Sequence, residues 1–84
     1  MTYTYRPRGV CSQLMQVELE DGYIRNVQVQ GGCSGNLQGI ISLVRGMKAE
    51  DAIARMKGIR CGMKSTSCPD QLALALEQAL QQEK

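Results

Sequence analysis

Apolar and polar residues alternate from Leu14 to Glu20. Met15, Val17 and Leu19 point one way, and Gln16, Glu18 and Glu20 the other. A period of two belongs to a strand with one buried face. Thr2 to Arg6 alternates Tyr3 and Tyr5 with polar residues, which suits a short edge strand, and Pro7 and Gly9 end it. Asp21-Gly22 follows the long strand and predicts a two-residue hairpin, since a type I′ turn needs positive φ at both positions. The return strand is Tyr23 to Gln30. Val27 and Val29 share a face while Ile24 is out of phase, and a bulge near Arg25 or Asn26 reconciles them. The first third therefore reads as a small antiparallel sheet with one wet face.

The period then changes. Leu37, Ile40, Ile41 and Val44 recur at helical spacing behind Ser34 or Asn36 as cap, and Gly46 stops that helix. A second helix is predicted from about Ala49 to Lys57, with Ala52, Ile53 and Met56 inward and Gly58 at its end. A third runs from about Pro69 to Gln82, with Leu72, Leu76, Ala79 and Leu80 on one stripe. Ser67 and Asp70 have the spacing of a reciprocal N-terminal cap. The predicted fold is α+β: a three-stranded antiparallel sheet with about three helices packed on one face.

Length and composition narrow the classes. A chain of 84 residues makes one domain, 1–84. Phe and Trp are absent, so Leu, Ile, Val, Met and Ala build the core, with Met15, Met47, Met56 and Met63 as gap fillers. A net charge of +2 is too small for nucleic-acid binding read on charge alone. No apolar run approaches a membrane span, and the N-terminus lacks the apolar stretch of a signal peptide. The expected location is cytoplasmic, where metal binding or redox chemistry outranks structural disulfides for cysteines.

Cysteines stand at 11, 33, 61 and 68, and histidine is absent. Each cysteine falls at a junction between predicted elements. Loop ends are where a site is assembled on a rigid frame. Four sulfurs without imidazole suit a tetrahedral sulfur site, zinc first and an iron–sulfur cluster next. A helix N-terminus attracts negative charge, which suits Cys68 as a thiolate ligand or nucleophile. Arg55, Lys57, Arg60 and Lys64 flank Cys61 and could offset the charge of four thiolates. The turn Gly31-Gly32-Cys33-Ser34-Gly35-Asn36 could present N–H groups from Gly32, Ser34, Gly35 and Asn36 to a nucleotide or flavin phosphate, although the P-loop lysine is missing. Without histidine no Ser-His or Cys-His pair exists. Three classes stay open: a metal-binding module on four thiolates, a thiol-redox protein passing reducing equivalents through a cysteine pair, and a small-cofactor binder.

Thr66-Ser67-Cys68-Pro69-Asp70 spells the motif of the TSCPD domain, and nearly the whole chain resembles it. Gly32-Cys33-Ser34-Gly35-Asn36-Leu37, Gly46-Met47, Lys57-Gly58-Ile59-Arg60-Cys61-Gly62 and Cys68-Pro69-Asp70-Gln71-Leu72-Ala73 carry the rest of the likeness. That domain occurs alone and at the C-terminus of some ribonucleoside-diphosphate reductases, notably cobalamin-dependent ones, and this length resembles the stand-alone form. The resemblance implies a four-cysteine set of Cys11, Cys33, Cys61 and Cys68. It also implies a nucleotide reductase or a metal-handling protein as partner. The chain carries no radical-site machinery, glycyl loop or nucleotide barrel, so a complete reductase is not expected. The order of elements also resembles the U-type iron–sulfur scaffold proteins. Cys11, Cys33 and Cys68 fall where that family keeps its three cysteines, but Ser67 stands where it has histidine, and Cys61 is an additional sulfur.

Overall fold

The computed structural model describes residues 2–7, 12–31, 34–59 and 66–83; the side chains of 12–13 and 34–37 also lie outside that description. Three strands, β1 (Thr2–Tyr5), β2 (Ser12–Glu20) and β3 (Tyr23–Gly31), precede three helices, α1 (Ser34–Val44), α2 (Ala49–Met56) and α3 (Cys68–Glu83). The sheet is antiparallel with β2 in the centre, so β1 is an edge strand as its short alternation predicts.

Register carries the alternation across the sheet. Tyr3, Val17 and Val27 form one row and Tyr5, Met15 and Val29 the next, with Leu19 beside Ile24. These rows face the helices, and Met15, Val17, Leu19 and Ile24 are fully buried. The intervening rows, Thr2-Glu18-Asn26 and Thr4-Gln16-Gln28, are polar and make the wet face. The pairing passes from Glu18↔Asn26 to Leu19↔Ile24, so Arg25 is the extra residue of a bulge. That bulge brings Ile24 into phase with Val27, and both are buried. Arg25 stays outside and meets Glu20 at 3.1 Å, an exposed pair of little energetic weight.

The Asp21-Gly22 turn has φ of 53° and 80°, the positive pair that a type I′ turn requires. Its tip is fastened to two helices. The Gly22 N–H donates to Glu83 Oε1 at 2.9 Å, and the Gly22 carbonyl accepts from Ala49 N at 2.8 Å. The second contact satisfies an otherwise unpartnered N–H at the start of α2, where Lys48 supplies no side-chain cap. Ile24 N donates to the Met47 carbonyl at 2.9 Å and Gly46 N to the Ile24 carbonyl at 2.8 Å. Gly46 and Gly58, both at φ 89°, end α1 and α2 in the left-handed region, as their positions predict.

These contacts fix the direction of each helix. α1 leaves the end of β3 and reaches the hairpin tip. α2 begins at that tip and returns, and α3 runs to the tip again. α3 lies against β1 and β2, α1 against β3, and α2 against α3, all on the apolar face. Ala52, Ala73, Ala75 and Ala79 are fully buried, and their small side chains let helices and sheet approach closely. Ile41, Val44, Leu72 and Leu76 complete the core.

Several boundaries differ from the sequence reading; β3 runs one residue further, to Gly31, and α2 stops at Met56. β2 begins at Ser12 rather than Leu14, because Ser12 pairs with Gly31 through an irregular step that breaks the alternation. β1 ends at Tyr5, before Arg6. α1 takes in Ser34, so Ser34 and Asn36 belong to its first turn rather than preceding it. α3 starts at Cys68 and runs to Glu83. No helix among the described residues is long and apolar enough to cross a membrane.

Two substitutions check this frame. A Cβ at Gly22 would meet no atom within 4 Å, so the cost of Gly22→Val lies chiefly in holding a β-branched residue at positive φ. About 1–3 kcal/mol of stability should be lost. A urea midpoint equal to the parent's would refute the turn. Ile41 is 6% exposed, and Ile41→Ala should cost about 2–5 kcal/mol by the same measurement.

Candidate functional site

The N-terminus of α3 is built by Ser67. Its Oγ accepts the Asp70 N–H at 3.2 Å, the Ser67 half of the predicted reciprocal cap, and donates to the Ile59 carbonyl at 2.6 Å. The second bond joins the two ends of the segment between α2 and α3. Asp70 strengthens the same closure: Oδ1 accepts the Gly58 N–H at 2.7 Å and Oδ2 accepts the Thr66 hydroxyl. A carboxylate in the first turn also meets the positive end of the helix dipole. Pro69, the second helical residue, loses nothing by lacking an N–H there.

A second set of bonds ties this helix start to the sheet. Gln71 is 6% exposed; its Nε2 donates to Thr66 Oγ1 at 3.0 Å and its Oε1 accepts from the Tyr5 hydroxyl at 3.0 Å. Two turns further along α3, the Tyr3 hydroxyl donates to Gln78 Oε1. The edge strand is thus pinned to α3 at two levels. Among the described residues, no buried side-chain nitrogen or oxygen lacks a partner.

Tyr5 pairs with Met15, and Ser12 with Gly31, so the start of β2, the end of β3 and the first turn of α3 share one pole of the molecule. α1 starts there directly after β3, and Gly58 and Ile59 arrive there from α2. The Asp21-Gly22 turn occupies the other pole. Cys68 is the first residue of α3 and is half-buried. Cys11, Cys33, Cys61 and Gly32 lie outside the described residues. So does any direct distance between the sulfurs. Ser12, Gly31, Ser34, Ile59 and Ser67, each within two residues of a cysteine in the chain, stand at the one pole.

Ser34, Gly35 and Asn36 form the first turn of α1, where backbone N–H groups are unpaired within a helix. Lys57 faces Glu77 at 3.0 Å rather than the cysteine pole, and Arg55 lies on the exposed side of α2. Arg60 and Lys64 lie outside the described residues. Among the described residues no three Cys, Asp or Glu side chains converge as metal ligands.

Periodicity missed Tyr5, Thr66 and Gln71 as a network. One signal was available. Gln71 stands four residues before Ala75 and so on the apolar stripe of α3, where a polar side chain needs a partner. The model of the TSCPD domain family matches residues 1–80. No curated protein and no solved structure matches the chain.

The double role of Ser67 gives a test. Asp caps a helix as well as Ser does, but it has no proton for the Ile59 carbonyl. Ser67→Ala, which loses both bonds, should therefore cost about 1–3 kcal/mol, and Ser67→Asp, which keeps the cap and loses the Ile59 bond, a part of that. A Ser67→Asp protein as stable as the parent in urea would show that the Ile59 bond contributes nothing.

Proposed function

The chain belongs to the TSCPD domain family, and from that premise we propose that it is a metal-binding module holding zinc or an iron–sulfur cluster on Cys11, Cys33, Cys61 and Cys68. One observation supports the reading above the others: the described neighbours of all four cysteines meet at one pole. Ser12 and Gly31 pair beside Cys11 and Cys33, and the Ile59–Ser67 bond closes the segment between Cys61 and Cys68. Four thiolates would satisfy a tetrahedral centre without histidine. Such a centre would supply either cross-linking of a small core or electron transfer. The family resemblance makes a nucleotide reductase or a metal-handling protein the partner served.

The chain's own residues have definite tasks in this reading. Ser67 and Asp70 hold the start of α3, so that Cys68 would meet the metal with the helix dipole behind it. The same two residues fix the base of the segment carrying Cys61. Tyr5 and Gln71 hold α3 on the sheet whose strands deliver Cys11 and Cys33. A thiol-redox pair of Cys61 and Cys68 is the second reading, favoured by the closure at Ile59 and Ser67, which shortens the path between those two cysteines.

Metal analysis and an absorption spectrum of protein purified without oxygen separate these readings. Zinc gives a colourless, stoichiometric protein and an iron–sulfur cluster a coloured one. Metal bound by a site absent from the unfolded chain is coupled to folding. Cys68→Ser should therefore lower both metal content and thermal midpoint, and a strong chelator should destabilise the parent more than the variant. A midpoint that responds to reductant and oxidant but not to chelator would replace the metal reading with the redox pair.

A further inference from the structure

The side-chain bonds that end at Asp70 have a direction, and each fixes the next. An ionised carboxylate only accepts, so the Thr66 hydroxyl gives its proton to Asp70 Oδ2. Thr66 Oγ1 can then only accept from Gln71, which turns Nε2 toward it at 3.0 Å. That orientation leaves Gln71 Oε1 facing Tyr5. An amide oxygen is an acceptor, and the Tyr5 hydroxyl donates to it at 3.0 Å. Four side chains are thus ordered in one line from the edge strand β1 to the first turn of α3. At the end of that line Asp70 Oδ1 accepts the Gly58 N–H at 2.7 Å, which ties the residues after α2 to the same turn.

Gln71 is the sensitive link. It is 6% exposed, so water is poorly placed to replace a lost partner. Without the Tyr5 proton, the amide has two courses. It can keep its orientation with Oε1 short of a donor, or it can turn over. In the second course Oε1 meets Thr66 and draws the hydroxyl proton away from Asp70. Tyr3 offers a built-in comparison. Its hydroxyl also joins β1 to α3, at Gln78 Oε1. Gln78 is exposed and lies about two turns beyond Gln71, so loss of that bond is made good by solvent.

We infer that Tyr5 is a positioning residue for the cysteine pole: through Gln71 and Thr66, its hydroxyl holds the Asp70 closure between which Cys61 is carried and beside which Cys68 stands. It acts across 66 positions of sequence, from a strand that carries no cysteine. Its effect on metal presumes the four-thiolate reading, whereas the coupling of Tyr5 to Asp70 is carried by the hydrogen bonds alone. Groups that hold ligands in place without touching the metal commonly set its affinity.

Tyr5→Phe and Tyr3→Phe each remove one hydroxyl and keep the ring, and comparing them in the full chain tests the coupling. Amide exchange followed by NMR should be about 5-fold faster at Gly58 and Asp70 in Tyr5→Phe, the size of one hydrogen bond, and unchanged there in Tyr3→Phe. Cobalt(II), added under reductant without oxygen and displaced by a chelator, should bind Tyr5→Phe about 10-fold more weakly than the parent, and Tyr3→Phe as the parent does. Thr66→Val, which breaks the line one link further on, should lose at least as much as Tyr5→Phe, while Thr66→Ser keeps the hydroxyl and should match the parent. Equal exchange at Gly58 and Asp70 in the two tyrosine variants would overturn the coupling. Faster exchange in Tyr5→Phe with undiminished cobalt affinity would overturn the positioning role. A parent that binds no cobalt would overturn the metal reading, and with it the role toward metal, while the exchange comparison still decides the coupling.

Discussion

The hydroxyl of Ser67 is the contact on which the rest of this pole depends. A hydroxyl can accept and donate at once, and Ser67 uses both capacities, toward Asp70 N–H and the Ile59 carbonyl. The first starts α3 and the second decides where the preceding segment closes. Neither bond is large in net terms, about 1 kcal/mol each. Their effect comes from burial: Ser67 is 4% exposed, so a lost partner would leave a polar group with no water to replace it. Asp70 then adds a carboxylate to the same closure through Gly58 and Thr66. The motif Thr66-Ser67-Cys68-Pro69-Asp70 is therefore first a piece of architecture. Three of its side chains build the start of α3 and the closure below it, and Cys68 is carried at the position they define.

The opposite pole is held in another way. There the hairpin backbone, rather than a side chain, takes the contacts: Gly22 receives Glu83 on its N–H and gives its carbonyl to Ala49. Both groups project from a turn that only positive φ allows. α3 is consequently fixed at both ends, by Tyr5 and Gln71 at its start and by Gly22 at its finish, with Tyr3 and Gln78 between. For a domain without Phe or Trp this matters. Its core is filled with Ala, Val, Leu, Ile and Met, and polar ties at the ends keep the elements in register where the apolar contacts are least directional.

The hairpin, the bulge and the helix ends were legible in the sequence because each rests on a local rule. Asp21-Gly22 satisfies the backbone of one turn type. The broken phase between Ile24 and Val27 leaves Arg25 as the extra residue. Gly46 and Gly58 stop helices by a conformation that side-chain-bearing residues resist. The start of β2 was not legible, because Ser12 joins the strand through its pairing with Gly31 rather than through its own pattern. The tie between Tyr5 and Gln71 was not legible either. Each residue has an ordinary local role, and only the docking of α3 on the sheet brings them together across 66 positions. The candidate set of four cysteines was visible only as residue types at junctions between predicted elements. The strand pairing and the Ile59–Ser67 bond add a common pole for the residues beside those junctions.

Serine at position 67 also bears on which groups could complete a metal site. A histidine at this position would offer a ring nitrogen to a metal. Ser67 offers a metal little by comparison, with its proton given to Ile59 and one of its two lone pairs taken by the Asp70 N–H. A neutral hydroxyl is in any case a poor ligand for the soft ions that thiolates select. Serine at this position therefore acts as a clamp between Ile59 and the start of α3. That clamp closes the segment that carries Cys61, beside the helix start that carries Cys68. Within the four-thiolate reading, Ser67 would supply no ligand and would instead fix the base of the segment that carries Cys61.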